Sequence, residues 1–481
     1  PDHLIGDKEN IGITVALIPT NTPGVSIGKR HNPLDSAFQN GPNWGKDVFI
    51  PMDWIIGGIE QVGNGWKMLM QCLATGRAVS LPALSVGAAK FTCRNTGAYA
   101  RIRKQFNLPI GEFEGIEEPL ARMAGETYIL DAARKVTNAA LDNGEKPAVI
   151  SLGPRNYLGR LYQVVPVSIT VEGANILTRT MMIFGQGAIR CHPYIQKEMA
   201  ALQQNDLRQF DKVLFQHIGF FIHNMAACFW LGLTNARFKN VPGNRDTRSY
   251  YRQIARLSIG FALFADFALL TLGGTLKRKE RLSGLFADVL SNLYLCSCVL
   301  KHYQDQGCPK DEAPLLNWAC QQSIYRAQQS LRAVFWKLPL RPLAWILRSL
   351  IFPIGKPYSP PRDLLIHKTA SLLLSDTLVR DRLTHGIYIN SKTDDATGRI
   401  EVAFKAVLAA APVEAKIRLA QKQKQLPKGD HIKMLAEALT KGIITQDEAG
   451  LCITAEQARL AAITVDDFNA EELMGGKFKA V

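Results

Sequence analysis

The stretch from Leu257 to Leu276 constrains the fold more than any other, because it is almost wholly apolar over a length sufficient to cross a bilayer. It carries one carboxylate, Asp266, and ends in Gly273-Gly274. An ionised group in mid-span is costly in lipid, and a glycine pair marks a joint. The run therefore reads as the buried helix of a bundle. A helix with apolar residues all round needs neighbours on every side, and the flanking patterns supply them. Gln203 to Phe238 is helical with a rich apolar face, broken at Val241-Pro242-Gly243-Asn244. Arg248 to Tyr303 reads as two helices joined at the glycine pair, and Trp66 to about Asp142 as helix interrupted at Phe106-Asn107-Leu108-Pro109.

The rest of the chain is less uniform. Residues 1–62 alternate apolar and polar side chains, as at Ile13, Val15 and Leu17, between Gly/Pro/Asn turns, and read as strands. Glu172 to Phe184 begins another helix, and Asp363 to Gln421 is helical again. Gly355 to Pro361 holds three prolines and is a candidate linker. After Pro427-Lys428-Gly429-Asp430 the tail reads as short helices around Gly450. No C-x-x-C pair, HExxH, P-loop or GxGxxG occurs, which removes zinc hydrolases, NTPases and Rossmann dehydrogenases from consideration. The nine cysteines read as free thiols of a reducing cytoplasm.

Two short stretches carry chemistry. Val171-Glu172-Gly173-Ala174-Asn175 sets a carboxylate beside a glycine just after an apolar run. A buried carboxylate becomes a general base once desolvation lifts its pKa towards neutrality. The same glutamate also suits an ordinary helix N-terminus, where the macrodipole favours it. Arg103-Lys104-Gln105-Phe106 brings a guanidinium, a carboxamide and an aromatic ring together at a helix end, a set that suits a dinucleotide. It equally suits a polar interface, and a cation belongs at that helix pole in any case.

The order and surroundings of these stretches resemble the acyl-CoA dehydrogenases, the flavoenzymes that oxidise fatty-acyl thioesters, and most closely the large bacterial fatty-acyl-CoA dehydrogenases. Asp47-Val48-Phe49-Ile50-Pro51 and Gly63-Asn64-Gly65-Trp66 match the family's passage from its β-domain into its helical domain. Arg103 to Phe106 with Pro109-Ile110 resembles its "R-x-x-F-G-x-P-I" passage, with Asn107 in the glycine's place. Glu172-Gly173 resembles its "E-G-T" base motif, with Ala174 for threonine. The resemblance implies a mainly α fold with a small β-domain remnant, an acyl-CoA dehydrogenase-like helical bundle plus a C-terminal helical extension. Its expected divisions are 1–62 (β-domain remnant), 63–200 (flavin and acyl-CoA domain), 201–354 (helical extension) and 362–481 (helical tail).

It further implies FAD as cofactor and Glu172 as the base for α,β-dehydrogenation of fatty acyl-CoA. Arg103, Gln105 and Phe106 would bind the cofactor, with Gly173 and Arg77 on the substrate side. Arg77 equally suits a structural role, and Glu114 stands where the family usually has a glutamine. Electron-transfer flavoprotein and a second copy of the chain are the implied partners. The chain starts at Pro1 without an initiator methionine, and Ser151-Leu152-Gly153 follows Pro147 where the family has a further helix and a Gly-Gly turn. An N-terminally truncated chain with an internal deletion is therefore expected, holding FAD weakly or not at all.

The net charge of +15 concentrates in one place. Ala313 to Arg362 contains no Asp or Glu, yet holds Arg326, Arg332, Lys337, Arg341, Arg348, Lys356 and Arg362 among Phe335, Trp336, Trp345 and Ile346. Cations with large apolar partners fit a peripheral contact with the inner membrane, and equally a basic connector packed on the body. Nucleic acid is excluded as a partner for want of any binding motif. The second functional class that stands is a non-catalytic helical module binding acyl chains or a membrane surface.

Overall fold

The structure, a computed structural model, describes residues 10–31, 41–141, 179–180, 183–184, 187–338, 340–355, 357–390, 392–393, 395–427 and 431–464. The chain divides into two compact units, Pro1–Ser85 with Thr137–Gly173, and Val86–Val136 with Ala174–Val481.

Among the described residues of the first unit, the strand expectation is met by short pieces. β1 (Val25–Ile27) and β2 (Asn43–Gly45) pair antiparallel with Ser26 opposite Trp44, and single bridges join Ile13 to Asn64 and Ala16 to Ile55. The Gly-Asn-Gly passage is explained by crowding. Gly63 has φ +81, and a Cβ there would lie 2.1 Å from the Ile11 carbonyl oxygen. Only glycine lets the two backbone segments approach that closely.

Helix α1 (Gly65–Ile102) is followed by the two-residue strands β3 (Lys104–Gln105) and β4 (Leu108–Pro109), then by α2 (Glu114–Leu141). The interruption read at Phe106–Pro109 is thus a tight hairpin. Downstream come α3 (Gly187–Arg190), α4 (Ile195–Gln203), α5 (Leu207–Leu233), α6 (Arg248–Leu272) and α7 (Glu280–Asp305). They are followed by α8 (Ala313–Phe335) and α9 (Arg341–Ile351). The joint at Gly273-Gly274 lies where the sequence places it. In α6 every residue from Leu263 to Ala268 is buried, Asp266 included, which is how a bundle accommodates so apolar a run.

Two cores result within the second unit. The larger gathers Leu263, Phe264, Phe286, Leu300, Leu316 and Leu331 from α6, α7 and α8. Gly125 of α2 lets Trp318 of α8 lie against its backbone, since a Cβ would sit 1.9 Å from the indole. Asp363 to Gln421 divides into α10 (Asp363–Ser371), α11 (Leu378–Leu383) and α12 (Ala396–Lys422). Side-chain caps set the restarts: Thr377 accepts from the Arg380 N–H, and Asp395 from the N–H groups of Thr397 and Gly398. The tail is α13 (His431–Thr440) and α14 (Gln446–Ile463), the latter opened by a Thr445/Glu448 capping box. Gly450, read as a break, sits inside α14.

The smaller core joins α12, α13 and α14 through Phe404, Val407, Ile417, Leu435 and Cys452, and takes in Ala98 and Ile102 from the end of α1. At this junction Arg94 of α1 and Arg380 of α11 both donate to the Glu401 carboxylate, at 2.6 Å and 3.0 Å. The Pro-rich stretch after Gly355 is fastened: the Tyr358 N–H donates to Gln328 Oε1, and its carbonyl accepts from Gln328 Nε2 at 2.8 Å. Arg326, the first cation of the basic run, pairs with Glu126 at 2.5 Å.

Candidate active site

The end of α1 aims the candidate cofactor residues. Ile102 is fully buried, and the Arg103 N–H closes the last turn on the Tyr99 carbonyl at 2.8 Å. Arg103 follows, half-buried, and its carbonyl accepts from the Ile110 N–H across the hairpin base. Gln105 pairs with Leu108 and is exposed. Phe106 and Asn107 form the turn, with φ 51 and φ 63. Two successive positive φ values suit the twist of a two-residue hairpin, and the favoured residues there are Asn, Asp and Gly. A phenylalanine in that conformation is strained. Phe106 is also 82% exposed, so packing against the body does not compensate.

Beside the turn lies a cavity of about 500 Å³ lined by Lys104, Gln105, Phe106 and Asn107, and by Arg418 and Arg459 among residues of the tail helices. Lys104 reaches Glu414 of α12 at 2.6 Å, pinning the hairpin to the tail. Glu414 also accepts from Arg418 at 3.2 Å, and Glu456 holds Arg459 at 2.6 Å. The lining sets a carboxamide, an ammonium and two guanidinium groups beside an aromatic face, and Glu414 and Glu456 of the same wall leave one net positive charge for the diphosphate of FAD. Lys104, Arg418 and Arg459 escaped the sequence reading. The lysine lay within the motif, but the arginines come from α12 and α14, more than 300 residues along the chain, with no local signal.

The remaining expected residues are not brought into this picture. Glu172 and Gly173 lie outside the described residues. Arg77 is carried on α1, and its side chain also lies outside what is described.

The sequence profile for the bacterial type of acyl-CoA dehydrogenase C-terminal region matches residues 189–468, and that for the acyl-CoA dehydrogenase C-terminal domain matches 63–202. The chain belongs to the acyl-CoA dehydrogenase family. It is 34% identical over 142 residues to the bovine mitochondrial short-chain specific acyl-CoA dehydrogenase, covering 29% of this chain and 32% of that one. To a probable acyl-CoA dehydrogenase of Bacillus subtilis it is 36% identical over 134 residues, 27% of this chain and 32% of the other. A Proteus mirabilis protein named HemX is 56% identical over 98 residues, covering 20% of this chain and 58% of its own length. The chain thus spans less than two thirds of each of these relatives. The fold is shared with an acyl-CoA dehydrogenase from Bacillus anthracis crystallised with FAD: TM-score 0.56, 15% identity, 78% of this chain and 66% of that one. That likeness bears out the mainly helical, acyl-CoA dehydrogenase-like fold read from the sequence.

Proposed function

We propose that this chain serves the FAD-dependent α,β-dehydrogenation of fatty acyl-CoA to trans-2-enoyl-CoA in fatty acid β-oxidation. The observation that carries the reading is the strained Phe106 turn beside a cation-lined cavity, in a chain of this family. Gln105 would hydrogen-bond the cofactor, Phe106 would lie on its rings, and Arg103 would balance its diphosphate. FAD held by these residues would supply the acceptor for a hydride from the β-carbon. Glu172 would take the α-proton, and the Glu172 N–H would polarise the thioester carbonyl so that this proton is acidic enough to leave. Gly173 would leave room for the thioester beside the base, and Arg77 would act on the carboxylate through its charge. Electron-transfer flavoprotein is the proposed electron acceptor, and a homodimer the proposed assembly.

A flavin absorbance spectrum of the purified protein is the first test. Glu172→Gln should keep flavin and acyl-CoA binding while lowering turnover by several orders of magnitude; normal turnover in that variant removes Glu172 from the mechanism. A protein that takes up no FAD when it is supplied in excess is instead the non-catalytic acyl-chain or membrane-binding module.

A second reading adds to the first, and α9 favours it. Its inner face buries Ala344, Leu347 and Ile351, while Trp345 and Ile346 remain about 60% exposed beside Arg341 and Arg348. Arg341 lies over the exposed Trp336 ring, so cation and aromatic ring share a surface there, while Arg348 lies over the buried Phe335 ring. Such a surface suits the anionic inner face of a membrane, with the protein cytoplasmic and peripheral.

A further inference from the structure

The carboxylate that set Leu257–Leu276 apart from a membrane span has a structural explanation that the dehydrogenase reading does not use. Asp266 lies in the most deeply buried part of α6, its side chain 4% exposed. Its Oδ1 accepts from His192 Nε2 at 2.7 Å, while Oδ2 has no hydrogen-bond partner among the described residues. His192 stands in the loop between α3 and α4, and its own side chain is 8% exposed. A third group converges from α5. His217 Nδ1 donates to Glu198 at 2.8 Å, so in the neutral ring the lone pair is on Nε2. That nitrogen lies 3.9 Å from Asp266 Oδ1, beyond hydrogen-bond reach. An unpartnered carboxylate oxygen and an imidazole lone pair thus occupy one largely buried place. Two acceptors so placed call for a cation between them.

We infer that His192, His217 and Asp266 form a divalent transition-metal site. Their ligating atoms lie within 4.8 Å of one another. Two imidazoles and one carboxylate suit zinc and its neighbours in the first row better than magnesium or calcium. Glu198 supplies the outer-shell contact that fixes a metal-bound histidine, and the Tyr194 ring stacked at 16° on His217 holds its plane. His217 and Asp266 also line a cavity of about 620 Å³ with aliphatic walls, among them Ile195, Met199, Leu214 and Leu270, so an ion they hold is open to a further ligand from that side. His192 has to move for this. Its Nδ1 faces the N–H groups of Tyr194 and Ile195, each at 3.2 Å, so Nε2 carries the ring proton. Coordination through Nε2 requires the other neutral tautomer: the ring proton passes by way of solvent to Nδ1, and the ring turns so that Nδ1–H no longer faces those two N–H donors.

Titration of the chelator-treated full chain with Co²⁺ tests this directly. One equivalent should give the visible ligand-field absorption of a four- or five-coordinate ion, displaced by Zn²⁺, and Zn²⁺ should raise the Tm. His217→Ala and Asp266→Asn should abolish both effects; the asparagine can still accept from His192, which preserves the apo fold. Glu198→Gln, which leaves the three ligands in place, should weaken binding about 10–100-fold. Exposed Cys191 next to His192 supplies the control. Absorption that survives in His217→Ala and Asp266→Asn but disappears in Cys191→Ser would mark an adventitious thiol and overturn the assignment. So would a wild-type chain that shows neither a spectral nor a thermal response to excess Co²⁺ and Zn²⁺.

Discussion

Removing the carboxylate of Glu401 should unfasten the tail from α1. Glu401 is buried and accepts from Arg94 Nη2 at 2.6 Å and from both terminal nitrogens of Arg380 at 3.0 Å. Burial alone would push its carboxyl up, but the hydrogen bonds from Arg380 and Arg94 outweigh it and hold the pKa down from the ordinary 4.5 to about 2. That difference corresponds to about 3 kcal/mol in favour of the folded, ionised form. Breaking a buried ion pair from one side costs a similar ~3–5 kcal/mol, because the partner charge is left stranded. Here the stranded group is Arg380, which is fully buried against the Phe404 ring, whereas Arg94 keeps Asp381 at 2.6 Å.

Glu401→Gln should therefore destabilise the tail by about 3 kcal/mol. The assay is amide exchange of α11 and α12 across a urea series. The sign of the pH dependence follows from the depressed pKa. The contribution is complete above about pH 4.5 and disappears as pH falls through about 2, so wild type should lose stability across that window and the glutamine variant should lose less. A variant within about 0.5 kcal/mol of wild type, with an unchanged acid flank, would refute the reasoning. Replacing all three groups by apolar residues of like size should restore much of the loss.

Other perturbations follow from the same geometry. Gly125→Ala should destabilise the larger core by several kcal/mol, since the new methyl meets the buried Trp318 indole; a Tm unchanged in thermal unfolding would show that the two helices can part at little cost. Charge reversal at Arg341 and Arg348 should release the protein from anionic vesicles, at about 1 kcal/mol for each cation, with little change in Tm. Sedimentation that ignores anionic lipid even at low salt would make that surface a packed connector. Phe106→Gly should relieve the strained turn, leaving stability equal or higher while weakening FAD uptake, read by flavin fluorescence; full uptake would remove the ring from cofactor binding.

What the sequence made readable was local. Helical period, the Gly273-Gly274 joint and the Phe106-Asn107 turn all follow from neighbours a few residues apart, and each lies where its residues place it. Pairings across the chain left no such trace. Asp266 marked its helix as unfit for lipid, but its partner His192 is 74 residues away and looks like an ordinary histidine before a proline. Lys104 gave no sign of Glu414, nor Arg94 of Glu401. The candidate site was accordingly half legible: its hairpin was visible, whereas the arginines that complete the cavity come from the tail. Glu172, Gly173 and the Arg77 side chain lie outside the described residues, so the base and its surroundings rest on the motif.

The packing of Ala98 and Ile102 among the tail helices has a consequence in time. The two halves of the Arg94–Glu401 pair are 307 residues apart. At about 5–20 residues per second, a ribosome needs roughly 15–60 s to travel between them. For that interval the end of α1 and its hairpin have been made, but the helices that cover them have not. The nascent chain must therefore carry an apolar helix end and the uncompensated Arg94 until α11 and α12 have been made. Premature termination before residue 400 would leave that surface bare, and such products should be found with holdase chaperones or in aggregates.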